Sequence, residues 1–388
     1  MEIKKISGGI ENIGKIKFNG IKEGKNGLGV VVCKGKVAGV FTTNKIKAAP
    51  IKLTMENVKS GEIEGLIVNS GNANAYTGKK GLENAKKMAS LLAEKLEVDE
   101  GKIAVASTGV IGVQLDMNWI EDRFEEVFKN LGSGRKEALA FAKSIMTTDT
   151  FIKESAVRIG DVVIAGVAKG AGMIAPNMAT MLAFIFTNAD YDSIELRRML
   201  LHALNNSFNV TVVDGDTSTN DMVLLIATGE KKIDAKLFQK ALNEVCLDLA
   251  KKIAKDGEGA TKLIEVVVEG AECDEDAFKA ARAVVSSLLV KTAIFGCDPN
   301  WGRIVAALGY SDAEMDENIT LKFKSKDKEV LLVKNGKIMG GEDDARSLLK
   351  ENDEIKILIN LHKGQGKGFA IGCDLSYDYV RINAEYTT

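Results

Sequence analysis

The stretch VVIAGVAKGAGMIAPNMATMLAFIFTN, which runs from Val162 to Asn188, does most to indicate the fold. Its two apolar runs, VVIAGVAKG and TMLAFIFTN, are typical of buried β-strands. The segment AGMIAPNMA between them contains glycine and proline, which are typical of connections. The stretch therefore predicts a hairpin of two strands joined by a long connection.

Patterns of strands and helices alternate along the rest of the chain. GLGVVVCKGKVAGVFTTN (27–44) is interpreted as two strands around a Lys-Gly turn, and further strands are expected at 65–70, 102–107, 209–213, 222–228, 262–270 and 354–361. The spacing of apolar residues predicts helices at 82–96, 116–128, 135–146, 193–208, 235–254 and 275–289. Because several predicted strands are adjacent in sequence, mixed sheets with antiparallel pairs are favoured over a purely parallel sheet.

The composition excludes several classes of protein. A length of 388 residues predicts two or three lobes, and the formal net charge of -2 gives no electrostatic argument for binding nucleic acid or an anionic membrane. The N-terminal sequence MEIKKISGGIENIGKIKF lacks the apolar region of a signal peptide. The five cysteines are scattered and form no CxxC pair. A cytoplasmic protein with reduced cysteines is therefore expected.

Histidine is scarce, since only His202 and His362 occur in the chain. This count excludes a histidine-rich metal site. No GxSxG motif accompanies either histidine, as one type of Ser-His-Asp hydrolase would require. If the chain is an enzyme, we expect its general base to be another group.

Thr180 begins the second strand of the hairpin and is a candidate nucleophile. The small Ala179 before it leaves the preceding carbonyl open to attack, and the glycines and Pro176 of the connection permit or fix unusual backbone angles. A simple hairpin register would place Lys169 opposite Thr180, where its ammonium group would meet a substrate carboxylate or a reacting amine. A threonine is also common at the start of a strand for structural reasons alone, so these residues by themselves leave its role open.

Several blocks of the sequence resemble one known family. KGAGMIAPNMATML is similar to the processing-site signature of the ornithine acetyltransferases, the glutamate N-acetyltransferase family of arginine biosynthesis. Other blocks resemble that family's blocks in the same order: NSGNANAYTG, VASTGVIG, IMTTDT, VDGDTSTND, DGEGATK and FGCDPNWGRI. The resemblance therefore covers nearly the whole chain.

The resemblance implies that the chain cleaves itself between Ala179 and Thr180. The Thr180 hydroxyl attacks the carbonyl of Ala179, and hydrolysis of the resulting ester leaves an N-terminal chain, residues 1–179, and a C-terminal chain, residues 180–388. An α-amino group has an unperturbed pKa of about 7.7–8, so the new amine of Thr180 can serve as general base for its own hydroxyl. Catalysis then needs no histidine.

The resemblance also implies the other site residues. Thr180 is the nucleophile that carries the acetyl group from N2-acetyl-L-ornithine to L-glutamate, and Thr108 with Gly109 forms the oxyanion hole. Lys169 is expected to hold the α-carboxylate of the amino acid, and Glu258 to meet its amino group. Substrate binding is implied for Thr147, Lys169, Thr180, Glu258, Asn383 and Thr388, with Thr148 and Thr150 as weaker alternatives to Thr147.

The fold implied by the resemblance is α/β: a layered sandwich of mixed β-sheets flanked by helices (αββα-like), with a smaller C-terminal α/β lobe. The implied assembly contains two N-terminal and two C-terminal chains. The expected partners are small substrates, with no nucleic acid and no membrane. No metal and no cofactor are expected, although the sequence leaves open whether acetyl-CoA is a second acetyl donor.

Other interpretations of particular motifs stay open. Asp214, Asp216 and Asp221 lie close together in VDGDTSTND and could bind Mg²⁺ or Ca²⁺, although turns and caps explain them better. The basic, glycine-rich KGQGKGF (363–369) could contact coenzyme A. The alternative enzyme class is a self-processing amidase or aminopeptidase with the same nucleophile. The alternative outside enzymes is an uncut amino-acid-binding or regulatory protein.

Overall fold

The computed structural model describes residues 1–175 and 181–385. The chain folds into two compact units. Within the described residues, the first contains Met1–Asn209 and Asp216–Leu249, and the second contains Val210–Gly215 and 250–385. Each unit is built on its own β-sheet, so each is described by itself.

Strands and helices alternate along the chain, as expected for an α/β protein. In chain order, the strands of the described residues are β1 (Lys4–Lys5), β2 (Lys17–Glu23), β3 (Asn26–Phe41), β4 (Glu62–Asn72), β5 (Ile103–Val110), β6 (Lys153–Ile159), β7 (Val162–Lys169), β8 (Leu182–Ala189), β9 (Thr211–Val212), β10 (Met222–Lys231), β11 (Leu263–Ala271), β12 (Thr320–Ser325), β13 (Lys328–Lys334), β14 (Lys337–Ile338), β15 (Glu354–Asn360) and β16 (Gly366–Cys373). The helices of the same residues are α1 (Ala49–Asn57), α2 (Gly78–Leu96), α3 (Met117–Lys129), α4 (Arg135–Ser144), α5 (Ser193–Asn205), α6 (Ala235–Lys255), α7 (Asp274–Ser286), α8 (Leu288–Phe295), α9 (Trp301–Gly309), α10 (Glu342–Glu351) and α11 (Tyr377–Glu385).

The first unit is built on a sheet that has nine strands within the described residues. Its strands follow the order β1-β6-β7-β8-β10-β3-β4-β5, and β2 pairs with β3 outside this path. The pairs β8–β10 and β4–β5 are parallel, whereas β7 pairs with β8 in the antiparallel direction. The predicted hairpin is therefore confirmed, and the sheet is mixed.

Both faces of this sheet are buried against helices. Successive residues of β4 alternate between two apolar clusters: Leu66 and Val68 pack in the cluster of Phe141 from α4, whereas Ile67 packs in that of Met88 from α2. Because both faces are covered, the central positions 66–68 of β4 form a continuous apolar run, which is the pattern seen in the sequence. Polar groups with chemical roles are therefore confined to strand ends and loops.

The second unit is built on a sheet that has seven strands within the described residues, in the order β14-β13-β12-β15-β11-β16-β9. The pairs β11–β15 and β16–β9 are parallel, and β11 pairs antiparallel with β16. Helix α7 approaches β16 closely, because a Cβ on Gly368 would lie only 2.6 Å from the Phe278 nitrogen. The expected α/β fold, with mixed sheets flanked by helices and a smaller C-terminal unit, is confirmed.

Three expectations about individual elements need correction. The segment 27–44 contains one long strand, β3, and the expected Lys34-Gly35 turn is a bulge in its pairing with β4. Gly35 approaches the sheet too closely for a side chain, since a Cβ there would lie 2.6 Å from the Ala227 oxygen. The segment 209–213 is a 3₁₀ turn followed by the two-residue β9. The helix expected over 275–289 ends at Ser286, and the Ser287 side chain caps the separate helix α8.

Candidate active site

A buried cluster of charges lies where β7 ends, in the first unit. Its centre is Asp149, in the loop between α4 and β6, whose side chain has no exposed surface. Asp149 Oδ1 accepts hydrogen bonds from Lys153 Nζ at 2.6 Å and from the Gly170 amide at 2.7 Å. Its Oδ2 accepts from the Thr147 amide at 2.9 Å and lies 4.0 Å from Lys169 Nζ. One carboxylate thus connects two residues that the sequence singled out, Thr147 and Lys169.

The cluster keeps Asp149 ionised. Burial alone would raise the pKa of this carboxyl, but the ammonium groups of Lys169 and Lys153 and the hydrogen bonds it accepts hold the pKa well below its ordinary value. The half-buried Lys22 also faces the cluster. Burial, together with repulsion by Lys169, lowers the pKa of Lys22 to about 8, and attraction by Asp149 offsets part of this effect. The Asp149 carboxylate thus lies near the ammonium groups of Lys22, Lys153 and Lys169.

The register expected for the hairpin is wrong at Lys169. In the structure the Cα partner of Lys169 on β8 is Leu182, not Thr180. Lys169 nevertheless turns towards polar groups at the strand end, since its Nζ lies 3.4 Å from Thr108 Oγ1 as well as 4.0 Å from Asp149 Oδ2. Its side chain is almost completely buried. The lysine at the end of an apolar strand therefore belongs to a charged site.

Thr108 and Gly109 lie next to this cluster, at the end of β5. In the parallel ladder with β4, Ser70 faces Thr108 and Gly71 faces Gly109. Gly109 has a φ of 131°, and a Cβ on it would overlap the backbone of Gly71, so no other residue fits without moving β4. The strand end thus presents a buried hydroxyl, that of Thr108, beside a backbone bend that requires glycine.

Buried amide groups hold this strand end in place. The Asn220 Nδ2 group donates to the carbonyl oxygens of Ala73 at 2.6 Å and Ser107 at 2.8 Å. The Ser107 hydroxyl donates to Asn69 Oδ1 at 2.5 Å. These bonds connect the blocks NSGNANAYTG, VASTGVIG and VDGDTSTND, which are far apart in sequence. They fix the backbone immediately before Thr108.

The residues expected at the cleavage point, Ala179 and Thr180, lie outside the described residues. The next residue, Met181, is described: its amide donates to Asp221 Oδ1 at 3.0 Å, and its carbonyl accepts from the Met222 amide at 3.1 Å. Asp221 is buried, and this contact with the backbone gives it a structural role. The start of β8 is therefore anchored to the loop that precedes β10.

Glu258 and Asn383 lie in the second unit, where the structure brings them together. Asn383 Nδ2 donates to Glu258 Oε2 at 2.8 Å and to the Tyr379 carbonyl at 3.0 Å within helix α11. Gly259, with a φ of 69°, lies so close to this helix that a Cβ would overlap the Tyr379 nitrogen. Two residues predicted to bind substrate are thus neighbours. Thr388 lies outside the described residues.

The other candidate residues have ordinary surroundings. His202 lies on α5, and His362 Nε2 lies 2.9 Å from Thr320 Oγ1 on an exposed surface of the second unit. The described residues contain no group of three or more His, Cys, Asp or Glu side chains that could hold a metal ion. The five cysteines are free thiols, and burial raises the pKa of Cys33 to about 12. The last four residues of the KGQGKGF segment, 366–369, form the start of β16.

Sequence reasoning missed three residues of the cluster, Asp149, Lys153 and Lys22. Asp149 lies inside the quoted block IMTTDT, but its partners are spread from Lys22 to Gly170 and no local pattern connects them. Lys153 begins strand β6, and its side chain is buried. Buried lysines are rare unless they are paired, so a lysine there predicts an acidic partner.

The fold and the cluster together define a class: an α/β protein in which a buried carboxylate and lysine ammonium groups lie beside a threonine hydroxyl at a strand end. Comparison with known proteins narrows this class. Residues 15–388 match the sequence pattern of the ArgJ family, and the chain belongs to that family. The family expected from the sequence is therefore confirmed.

Two relatives align with this chain over nearly the whole of both sequences. The chain is 56% identical over 379 residues to the arginine biosynthesis bifunctional protein ArgJ of Archaeoglobus fulgidus, covering 98% of this chain and 100% of that one. It is 51% identical to the glutamate N-acetyltransferase of Methanosarcina mazei, over 100% of both chains. A solved ArgJ structure from Bacillus halodurans is 48% identical and covers 52% of this chain and 98% of its own, with a TM-score of 0.49. The expected acyltransferase class agrees with these names.

No helix among the described residues is both long enough and apolar enough to cross a membrane.

Proposed function

We propose that the chain is a glutamate N-acetyltransferase that transfers the acetyl group of N2-acetyl-L-ornithine to L-glutamate in arginine biosynthesis. The observation that carries the proposal is its full-length similarity to relatives such as the glutamate N-acetyltransferase of Methanosarcina mazei, at 51% identity. The cationic cluster around Asp149 supports the proposal, because donor and acceptor both carry an α-carboxylate. Acetyl-CoA as a second donor, a cytoplasmic location and an assembly of two N-terminal and two C-terminal chains belong to the same proposal.

The proposal begins with cleavage between Ala179 and Thr180. Thr180 Oγ attacks the carbonyl carbon of Ala179, the hydroxyl proton passes to the leaving nitrogen, and an ester replaces the peptide bond. Water then hydrolyses the ester. This gives residues 1–179 with a new carboxylate and residues 180–388 with a new amine on Thr180. The ladder of β7 and β8, which lie on either side of the cleavage point, would keep the two chains together.

Acetyl transfer then takes two steps at Thr180. Its amine takes the hydroxyl proton while Oγ attacks the acetyl carbonyl of the donor, and the Thr108 hydroxyl and Gly109 amide stabilise the oxyanion. The C–N bond breaks, the nitrogen of the leaving L-ornithine takes the proton, and acetyl-Thr180 remains. The neutral amine of L-glutamate then attacks this ester. N-acetyl-L-glutamate leaves, and a proton returns to Thr180 Oγ.

Substrate binding in this proposal uses the residues that the family resemblance implies. Lys169 binds the α-carboxylate, since a buried ammonium group attracts an anion strongly in a site of low dielectric. Glu258 receives the protonated amino group of the substrate in place of its Asn383 partner. Thr147, Asn383 and Thr388 complete the contacts.

The experiment that tests the nucleophile compares Thr180→Ala with the matched control Thr180→Ser. Thr180→Ala removes the hydroxyl, so it should remain one chain and lose at least about 1,000-fold in acetyl transfer. Thr180→Ser keeps a hydroxyl and should still be cleaved and active. Intact mass and an acetyl-transfer assay measure both properties. A cleaved and active alanine variant would disprove the assignment.

A second experiment separates transferase from amidase chemistry. The wild-type protein is incubated with N2-acetyl-L-ornithine alone, and peptide mass analysis locates the acetyl group on the chain. We expect acetylation at Thr180, slow release of acetate and fast turnover only after L-glutamate is added, with parallel initial-rate lines against both substrates. Rapid release of acetate without L-glutamate would instead identify an amidase.

A further inference from the structure

The complete burial of Asp149 is unusual for a residue in a loop. It lies five residues after the end of α4, yet its side chain is completely buried and accepts three hydrogen bonds. Placing a carboxylate in the interior is costly unless its partners compensate for the lost hydration. The groups around Asp149 must offset this cost, so the identity of its partners is informative.

The partners of Asp149 flank the proposed carboxylate-binding residues. Oδ2 accepts the Thr147 amide at 2.9 Å and lies 4.0 Å from Lys169 Nζ. Oδ1 accepts the amide of Gly170, the residue after Lys169, at 2.7 Å. The carboxylate therefore holds the backbone of the residue after Lys169 through Oδ1. Its Oδ2 limits the position of the Lys169 ammonium group.

Lys153 completes the arrangement from the neighbouring strand. It begins β6, opposite Ala168 on β7, and its Nζ donates to Asp149 Oδ1 at 2.6 Å. Its side chain is fully buried, and its hydrogen bond orients the carboxylate. Lys169 is the cation of this group that also approaches Thr108, at 3.4 Å from its hydroxyl oxygen.

We propose that Asp149 is a positioning residue of the acetyl-transfer site, which holds the Lys169 ammonium beside Thr108 so that it binds the α-carboxylate of the substrate. This inference rests on the proposed function and deepens it. Asp149 does not touch the reacting atoms. It acts through Lys169 and through the backbone of Thr147 and Gly170, which its two oxygens fix in place.

The charge of Asp149 makes this role consistent with carboxylate binding. The neighbouring ammonium groups hold its pKa well below the ordinary value, so the carboxylate is ionised throughout the neutral range. Two buried lysines, Lys153 and Lys169, then face one carboxylate. A substrate carboxylate would be attracted to these ammonium groups, whereas the neutral carboxamide of an analogue would not.

The test measures discrimination between a carboxylate and a carboxamide by calorimetric binding. L-glutamate and its α-carboxamide are titrated into wild-type protein, Asp149→Asn and the control Thr187→Val. Thr187 is buried, its hydroxyl makes two hydrogen bonds, and it pairs with Ile164, at the far end of the hairpin from Lys169. We expect Asp149→Asn to reduce the preference for the carboxylate about tenfold, the equivalent of one charge-assisted hydrogen bond. Thr187→Val should lose stability but keep the preference.

A double variant tests whether the effect of Asp149→Asn on the preference comes from positioning of Lys169 or from the net charge of the cluster. Asp149→Asn combined with Lys153→Met removes one negative and one positive charge, so the cluster keeps its wild-type net charge. If Asp149 positions Lys169, the double variant should still show the reduced preference. Recovery of the wild-type preference, or an unchanged preference in a folded Asp149→Asn variant, would overturn the proposal.

The binding test is independent of acetyl transfer. If the wild-type protein binds L-glutamate with a preference for the carboxylate but transfers no acetyl group, the proposed function fails and the role of Asp149 is still decided. If transfer occurs and Asp149→Asn keeps the full preference, only the role of Asp149 fails.

Discussion

The Asp149 cluster in the first unit and the Glu258–Asn383 pair in the second differ in their access to water. Asp149 and Lys153 have no exposed side-chain surface, whereas Asn383 is exposed at the end of the chain that the structure describes. A charge that is buried must be paired, so loss of one partner affects folding as well as binding. An exposed pair contributes little to stability. The comparison therefore predicts that substitutions in the two regions separate stability from activity.

The largest expected effect comes from Lys153→Met. It leaves the Asp149 carboxylate with one ammonium neighbour fewer, and breaking a buried pair costs about 3–5 kcal/mol. The control is Lys255→Met, whose ammonium group is half-exposed and lies 2.8 Å from Glu354. The control should lose less than about 1 kcal/mol. Denaturant unfolding of both variants measures the difference, and equal losses would refute the contrast between buried and exposed charges.

A smaller effect is expected at Gly259, which tests how the Glu258–Asn383 pair is held. Gly259→Ala places a methyl group against the Tyr379 backbone at a φ of 69°, and we expect a loss of about 2 kcal/mol. Gly24→Ala is the control, because Gly24 has a φ of 55° but nothing within 4 Å of an added Cβ. Its loss of about 1 kcal/mol reports backbone strain alone. Similar losses of stability in the two variants would show that helix α11 shifts to accommodate the methyl group.

The sequence predicted the alternation of strands and helices and the β7–β8 hairpin because these depend on local patterns of apolar residues. It did not predict that Lys34-Gly35 continues one strand as a bulge, since a turn and a bulge use the same residues. The hairpin register was also wrong, because Lys169 pairs with Leu182 and the long connection sets no simple count of residues. Local sequence predicts the type of a secondary-structure element better than it predicts the register in which strands pair.

The site shows the same limit. Thr108, Gly109 and Lys169 were found from blocks of sequence that resemble a family, and the structure brings Lys169 to Thr108. Asp149 and Lys153 were missed because their importance arises from contacts between residues that are distant in the chain, such as Asp149 with Gly170. Such contacts exist only after the strands have paired.

Acid should weaken the buried cluster around Asp149. The pKa of Asp149 is depressed in the folded protein, so its stabilisation is fully present above its unfolded pKa, about 3.9, and is lost as pH falls through the folded value. At neutral pH, the free energy of unfolding of the wild-type protein should exceed that of Asp149→Asn by more than about 1.4 kcal/mol, the equivalent of one pKa unit. This gap should stay constant from about pH 7 to 5 and narrow below about pH 4. Thermal unfolding across this range measures it, and a gap that widens in acid would contradict the assigned charge.

The smallest expected effect on stability is that of Glu258→Gln. The amide oxygen of the new side chain would still accept the Asn383 hydrogen bond at the partly exposed surface, so stability should change by less than about 0.5 kcal/mol. Binding should respond differently, because the neutral amide no longer attracts a protonated amino group, and the KM for N2-acetyl-L-ornithine should rise about tenfold. Glu272→Gln, at an exposed glutamate of the same unit, should change neither quantity. If Glu258→Gln and Glu272→Gln have the same KM, the substrate's amino group is recognised elsewhere, and the exposed pair serves only to hold helix α11.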